Sequence, residues 1–419
     1  MSDSDSARPA VPWWLGGLLA LLALSGLLRF GDAWPAIDYY QFWLVGRELR
    51  EHPQANPYED AARAELGRRG LAEARAQQRG QTEVSLHLRV AEYRQQLEVY
   101  STPLLYGTLG AIASGNYEQD KRLWQRGMLV LFALSVLLCA RAFGFSWGAS
   151  LACVAAFSLS SEPLLAELGN GNVNSVLLLS LCFALWAWSR NRYGLGAAAL
   201  GLGVCFKPLL WLALVPIALR WAAAREAGPL LRTALGGLLG GVIGVGLGAW
   251  LGGGLGLWAH WLAAARELSQ AAQDYPDNFS PLARLWQTPP AWLASLAVLA
   301  LSALRAVQLR RRVVRAPEAC ESLAFGALLC LAFSPLVWIH YLLLAVPLLI
   351  AVFATPSVWL RLLGLLASFC IASQPLTLLL GWREHSLRSL PVVLAVLALV
   401  LAGFFLSTQG PAPRQEQAR

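Results

Sequence analysis

The chain has 419 residues, of which 57% are hydrophobic and 14% charged, with a formal net charge of +8. A soluble protein of this length needs far more polar surface, so the composition excludes that class. The basic excess lies in short loops between apolar runs, which points to orientation in a bilayer rather than to nucleic-acid binding.

Taken in chain order, the polar head carries Asp3 and Asp5 against Arg8, and no small-residue cleavage site follows the apolar run 13–30. A retained first span is expected rather than a cleaved signal. About twelve spans follow from runs long enough to cross a bilayer, roughly 12–30, 123–141, 148–168, 173–189, 194–206, 208–221, 233–253, 290–308, 320–338, 341–355, 359–378 and 388–406. The whole of 1–419 reads as one integral membrane domain. Pro208 lacks an amide hydrogen and separates the two runs around Lys207, or else kinks one long helix.

Charge asymmetry favours the separated pair. With the N-terminus inside, the inner loops hold Arg141, Arg190, Arg192, Arg220, Arg225, Arg232, Arg305, Arg310, Arg311, Arg312, Arg315 and Arg361. The short outer loops hold only Lys207, Arg266, Arg284, Arg383 and Arg388. Both termini are therefore expected to be cytoplasmic, with Asp38, Lys207 and His340 on the outer side.

The first outer segment, 31–122, is the one sizeable polar region. Within it 58–79 predicts an exposed helix, with Glu65 and Arg69 at i,i+4. Residues 84–99 place Leu86, Val90, Tyr93 and Leu97 on one face of a surface helix. The apolar stretch 100–114 is too short to span, and an interfacial or re-entrant helix is expected there. The second outer loop, 255–285, carries Trp258, His260, Trp261 and Arg266, which suit an interfacial belt. Gly236, Gly240, Gly244, Gly248 and Gly252 repeat every fourth residue and predict close helix packing. Seven cysteines without paired spacing, and His residues without metal-ligand spacing, predict neither disulfide, metal nor cofactor.

Few residues are candidates for chemistry. Asp38 opens IDYYQFW at the edge of hydrocarbon, where a carboxylate is costly. It reads either as the N-cap of the following helix or as a base made more basic among Tyr39, Tyr40 and Trp43. Lys207, in CFKP, is a snorkelling span end or a ligand for phosphate. His340 follows Trp338 where Ser334-Pro335 breaks a span, and reads as a packing residue or a catalytic one. GNGNVN at 169–174 is a tight outer turn whose amides bind a sugar or satisfy the backbone. Glu162 and Glu167, in or near a span, require partners or water.

Together these segments resemble glycosyltransferase family 87. The likeness runs through Asp38, Asn56-Pro57-Tyr58, Tyr100 with Pro103, Gly171 with Asn174, Lys207-Pro208, and Ser334-Pro335 with Trp338 and His340. The family often has Gln at the place of Asn172, Pro at that of Thr102 and His at that of Tyr341. The resemblance implies an all-α, GT-C-type bundle of about twelve transmembrane helices, with interfacial helices in the first outer loop. It implies transfer of a mannose-like sugar from a polyprenyl-phosphate donor to a lipid or glycan acceptor on the outer face, with inversion. Asp38 is then the general base, Lys207 and His340 hold the donor phosphate, and Tyr39, Tyr100, Asn172, Asn174 and Trp338 contact substrates. The competing reading is a lipid or glycan flippase, but no matched pair of interrupted spans supports it. An O-antigen-type ligase usually has its large outer loop later in the chain.

Overall fold

The computed structural model describes residues 11–80, 82–159, 161–271, 278–280, 291–309, 314–334, 336–372 and 385–406. Arg284, Arg310, Arg311, Arg312, Pro335 and Arg383, weighed above, lie outside the described residues, as does the polar head. Among the described residues all regular structure is helical. The α-helices are α1 (Trp13–Ala33), α2 (Ile37–Glu51), α3 (Asp60–Gln78), α4 (Leu86–Tyr93), α5 (Pro103–Ile112), α6 (Tyr117–Ala142), α7 (Trp147–Leu159), α8 (Glu162–Asn170) and α9 (Asn174–Trp188). They continue as α10 (Tyr193–Phe206), α11 (Val215–Ala224), α12 (Ala227–Gly252), α13 (Gly256–Ala271), α14 (Ala291–Leu309), α15 (Ala316–Phe333), α16 (Val346–Ala354), α17 (Val358–Ile371) and α18 (His385–Leu406). Among the described residues two 3-10 turns, Pro208–Leu210 and Ile339–Ala345, interrupt the series.

Among the described residues four helices, α1, α6, α12 and α15, are each long and apolar enough to cross a bilayer, as expected of a membrane-embedded protein. The run expected as a span at 148–168 is the pair α7–α8, which passes the same test taken together and is bent by 67°. Its break coincides with Ser161, whose hydroxyl accepts from the Leu164 amide at 3.2 Å and starts a new helix. The other apolar runs give shorter apolar helical stretches of 10–17 residues, among them Leu299–Gln308 within α14 and Pro391–Leu406 within α18. At the centre lies α15, buried almost continuously from Ala319 to Ala332, whereas α12 exposes Leu235, Leu238, Val242 and Trp250 as a lipid-facing side.

The glycine series on α12 lets two backbones meet. A Cβ on Gly236 would strike the Gly194 carbonyl, and one on Gly240 the Ala198 carbonyl, so α10 rests directly on α12. The same device joins α2 to α5, where a Cβ on Gly46 would lie 2.7 Å from the Tyr106 carbonyl oxygen. Arg50 of α2 then donates to the Gly110 and Ala113 carbonyls at 3.1 and 2.6 Å, closing the C-terminus of α5.

The first polar segment packs more tightly than its sequence indicates. Helix α3 is not simply exposed: Arg63, Leu66, Gly67, Gly70, Leu71 and Ala74 are buried along one side. Arg47 and Glu48 of α2 pair with Glu73 and Arg69 at 3.0 and 2.7 Å. The helix expected over 84–99 ends at Tyr93, which is 70% exposed, while Val90 and Leu97 are buried. Lys121, at the start of α6, donates to the carbonyls of Gly31, Asp32 and Trp34 at 3.3, 3.0 and 2.7 Å. One ammonium thus holds the end of α1 and ties the beginning of the segment to its end. Within the segment 255–285, residues Gly256–Ala271 form α13. Farther on, Asn278 accepts from the Val337 amide at 3.0 Å and Phe279 donates to the Val337 carbonyl at 2.7 Å.

Candidate active site

The site forms where α2 begins, α8 ends and α10 breaks. Helix α2 starts from Ala36, whose positive φ of 57° turns the chain sharply and whose amide donates to the Gly169 carbonyl at 3.1 Å. Ala36, not Asp38, is the N-cap, and it makes no side-chain cap bond. The capping account of Asp38 is therefore set aside: its carboxylate lies in the first turn and points to other partners.

Those partners come from three distant segments. Asn172 Nδ2 donates to Asp38 Oδ2 at 2.8 Å, and Arg94 Nη2 donates to Asp38 Oδ1 at 3.3 Å. The Asn172 side chain is aimed by the turn before it. Gly171 closes α8 with φ 70°, and a Cβ there would lie 2.5 Å from Tyr39 Cβ and 2.8 Å from Ala36 Cβ. Only glycine lets α8 end this close to α2.

The other end of the Asn172 amide meets Lys207. At Lys207 the backbone is extended (φ −156°, ψ 118°), and Pro208 stops α10 from continuing. Lys207 Nζ donates to Asn172 Oδ1 at 3.0 Å and to Asn174 Oδ1 at 3.1 Å, and lies 3.9 Å from the centre of the Tyr341 ring. Asn174 Nδ2 donates in turn to Glu167 Oε2 at 2.9 Å, and the Ser175 amide to Glu167 Oε1 at 2.8 Å. Asp38, Asn172, Lys207, Asn174 and Glu167 thus form one chain of alternating acceptors and donors, fully buried at Asn174 and Glu167 and partly buried at Asp38 and Lys207. Thr102 Oγ1 donates to the Phe206 carbonyl at 2.9 Å, which fixes the start of α5 beside the break. That bond uses the hydroxyl that a proline would lack.

His340 stands beside this chain. Its ring is 5.0 Å from that of Tyr341, it is 3% exposed, and neither ring nitrogen has a hydrogen-bond partner. Trp338 sits half-buried in the extended approach to the same turn. Tyr39 is turned elsewhere, stacked on Trp124 at 5.6 Å in the core. Tyr100 is half-buried: its carbonyl accepts from Trp261 Nε1 at 3.1 Å and its ring lies 5.5 Å from the Arg63 guanidinium. The Asn-Pro-Tyr and Tyr-x-x-Pro segments do meet, through Tyr58 Oη and the Ser101 carbonyl at 2.8 Å.

Burial pushes the Asp38 carboxyl above the ordinary aspartate range, against the opposing pull of Arg94, the Asn172 bond and Lys207. Burial also lowers the Lys207 ammonium, opposed by Glu167 and Asp38. Among the described residues no group of three or more His, Cys, Asp or Glu is arranged to hold a metal ion.

One member of the site, Arg94, was not singled out from sequence, and a second, Glu167, was named only as a carboxylate in need of partners. Arg94 looks like one arginine among many in a polar segment, and nothing local marks it. Glu167 carried the signal of a carboxylate within an apolar run, but not the identity of its partners. The family model described as glycosyltransferase family 87 matches residues 103–335, which include Asn172, Asn174 and Lys207. No curated protein and no solved structure matches the chain.

Proposed function

The chain belongs to glycosyltransferase family 87, and from that premise we propose that it moves a mannose-like sugar from a polyprenyl-phosphate donor to a lipid or glycan acceptor at the outer membrane face. The architecture proposed is a GT-C-type bundle of about twelve crossings, in which shorter helices tilt or pair to cross.

In the proposed step, Asp38 takes the proton of an acceptor hydroxyl as that oxygen bonds to the anomeric carbon. The bond from this carbon to the phosphate oxygen breaks on the opposite face, its electron pair leaves with the phosphate, and the configuration inverts. The phosphate leaves as a stable anion, so one base is sufficient. Oδ1 is the freer of the two carboxylate oxygens, because its one contact, to Arg94, is the longer. Lys207 offsets the charge gathering on the phosphate. His340, buried with both ring nitrogens unpartnered, supplies a second donor when it carries a proton on the facing nitrogen. Asn172, Asn174 and Trp338 contact the substrates, with Tyr39 and Tyr100 shaping the wall behind them.

The observation that carries this reading is the Asn172 amide. Its Nδ2 holds the base and its Oδ1 holds the cation, so the two groups needed at opposite ends of a displacement are set one amide apart. The experiment is sugar transfer by purified protein from a panel of radiolabelled polyprenyl-phosphate sugars into membrane lipid extract, with wild type beside Asp38→Asn. Incorporation by wild type, reduced roughly 10²-fold or more in the variant, is expected. Equal incorporation removes Asp38 from the chemistry. No incorporation by folded wild type from any donor overturns the donor class.

A further inference from the structure

We propose that Arg94 is the positioning residue that keeps Asp38 ionised once the donor is bound. The inference rests on the reading of Asp38 as the base and adds a residue from outside the family-matched region. Arg94 closes α4, its amide donating to the Val90 carbonyl at 2.9 Å. That ending swings its guanidinium over the start of α2. The side chain is largely buried, and its charge is divided between Asp38 at 3.3 Å and Glu98 at 2.9 Å.

The charged groups around Asp38 make Arg94 distinctive. From the segment after α4 come Arg94 and Glu98, and from the break after α10 comes Lys207. From the second 3-10 turn comes the Tyr341 hydroxyl, within electrostatic reach of Asp38. On α8, Glu167 is turned away, toward Asn174 and Ser175. Lys207 meets Asp38 only through the Asn172 amide, whereas Arg94 touches it directly. An arriving donor phosphate neutralises Lys207, and the support Lys207 lends to the carboxylate goes with it. Arg94 then remains as the cation bonded to a buried carboxylate whose ionisation burial opposes. Its long contact to Oδ1 supplies charge while leaving that oxygen open to an incoming proton.

Glu98 completes the device. It is half-exposed, four residues from Arg94, and pulls the guanidinium away from Asp38. Removing Glu98 therefore strengthens the hold of Arg94 on Asp38, and removing Arg94 abolishes it. The two substitutions have opposite signs, which a purely structural role would not produce.

The test is pH-difference infrared spectroscopy of purified protein, in which the Asp38 carboxyl band is the one missing from Asp38→Asn. Its midpoint is expected to rise by about one pH unit in Arg94→Gln, to stay near wild type in Arg94→Lys, and to fall in Glu98→Gln. With the donor that wild type uses, the acidic limb of kcat moves in the same directions, and the donor KM stays fixed. A midpoint in Arg94→Gln equal to wild type overturns the assignment. So does a Glu98→Gln midpoint that fails to fall, an arm that stands even where Arg94→Gln does not fold. Failure of the underlying reading looks different: Asp38→Asn then transfers sugar at the wild-type rate, whatever the infrared midpoints do.

Discussion

The carboxyl of Asp38 is buried, and burial penalises its charged form, so the folded chain holds this proton more tightly than the unfolded chain does. For a carboxyl raised in this way the sign is fixed. The group costs stability at neutral pH, and the cost is relieved as pH falls through the folded value. Asp38→Asn is therefore expected to melt at or above the wild-type temperature at neutral pH, with the difference shrinking toward acid. Thermal unfolding of the two proteins across that range checks this. A variant that loses transfer while keeping or gaining stability identifies a residue held in place for its chemistry. The same shift places the acidic limb of wild-type transfer above the ordinary aspartate range. A limb at or below that range contradicts it. Asp38, Asn172, Asn174, Lys207 and His340 were all legible as candidates because each is a polar group where hydrocarbon should begin. Arg94 was not, since charge is ordinary in a polar segment and only the fold brings it to the carboxylate.

At the scale of elements, the punctuation residues were legible and the packing faces were not. Pro208 stops α10 and Gly171 stops α8, for reasons of backbone geometry written in those residues themselves. The helix over 84–99 came out shorter because Leu97 is buried outside the helix, through contacts with other segments. The side of α3 that packs on its neighbours mixes Leu66, Leu71 and Ala74 with Gly67, Gly70 and Arg63, so hydrophobic periodicity gave little warning. Glycine spacing on α12 was informative, and it makes a paired prediction. Gly240→Leu forces a side chain into the Ala198 carbonyl and should cost about 1–3 kcal/mol or prevent folding. Gly246→Leu meets nothing within 4 Å and should change stability by no more than about 0.5 kcal/mol. Melting temperatures in detergent, with transfer measured alongside, separate the two. Because α10 ends at Lys207, any surviving Gly240→Leu protein should also lose transfer.

For the whole molecule, the orientation proposed from the loop charges puts the first polar segment on the outer side. Arg68 on α3 is well exposed, whereas each of the seven native cysteines is buried or partly so. Arg68→Cys should therefore react with a membrane-impermeant maleimide added to intact cells, and the wild-type chain gives the background. Labelling only after the membrane is opened would reverse the orientation and move Asp38 to the inner face. Lys121 has a consequence at this scale. By binding three carbonyls at the end of α1 from the start of α6, it locks the entrance of the polar segment to its exit. A segment clamped at its root keeps its two ends in register, so the side chains it carries reach the bundle from a fixed base. Asp38 and Arg94 lie within that segment, whereas Asn172 and Lys207 lie in the bundle. On the function proposed, the base then stands on the clamped segment and the phosphate-holding cation in the bundle, so the clamp at Lys121 sets the span between the two ends of the reaction.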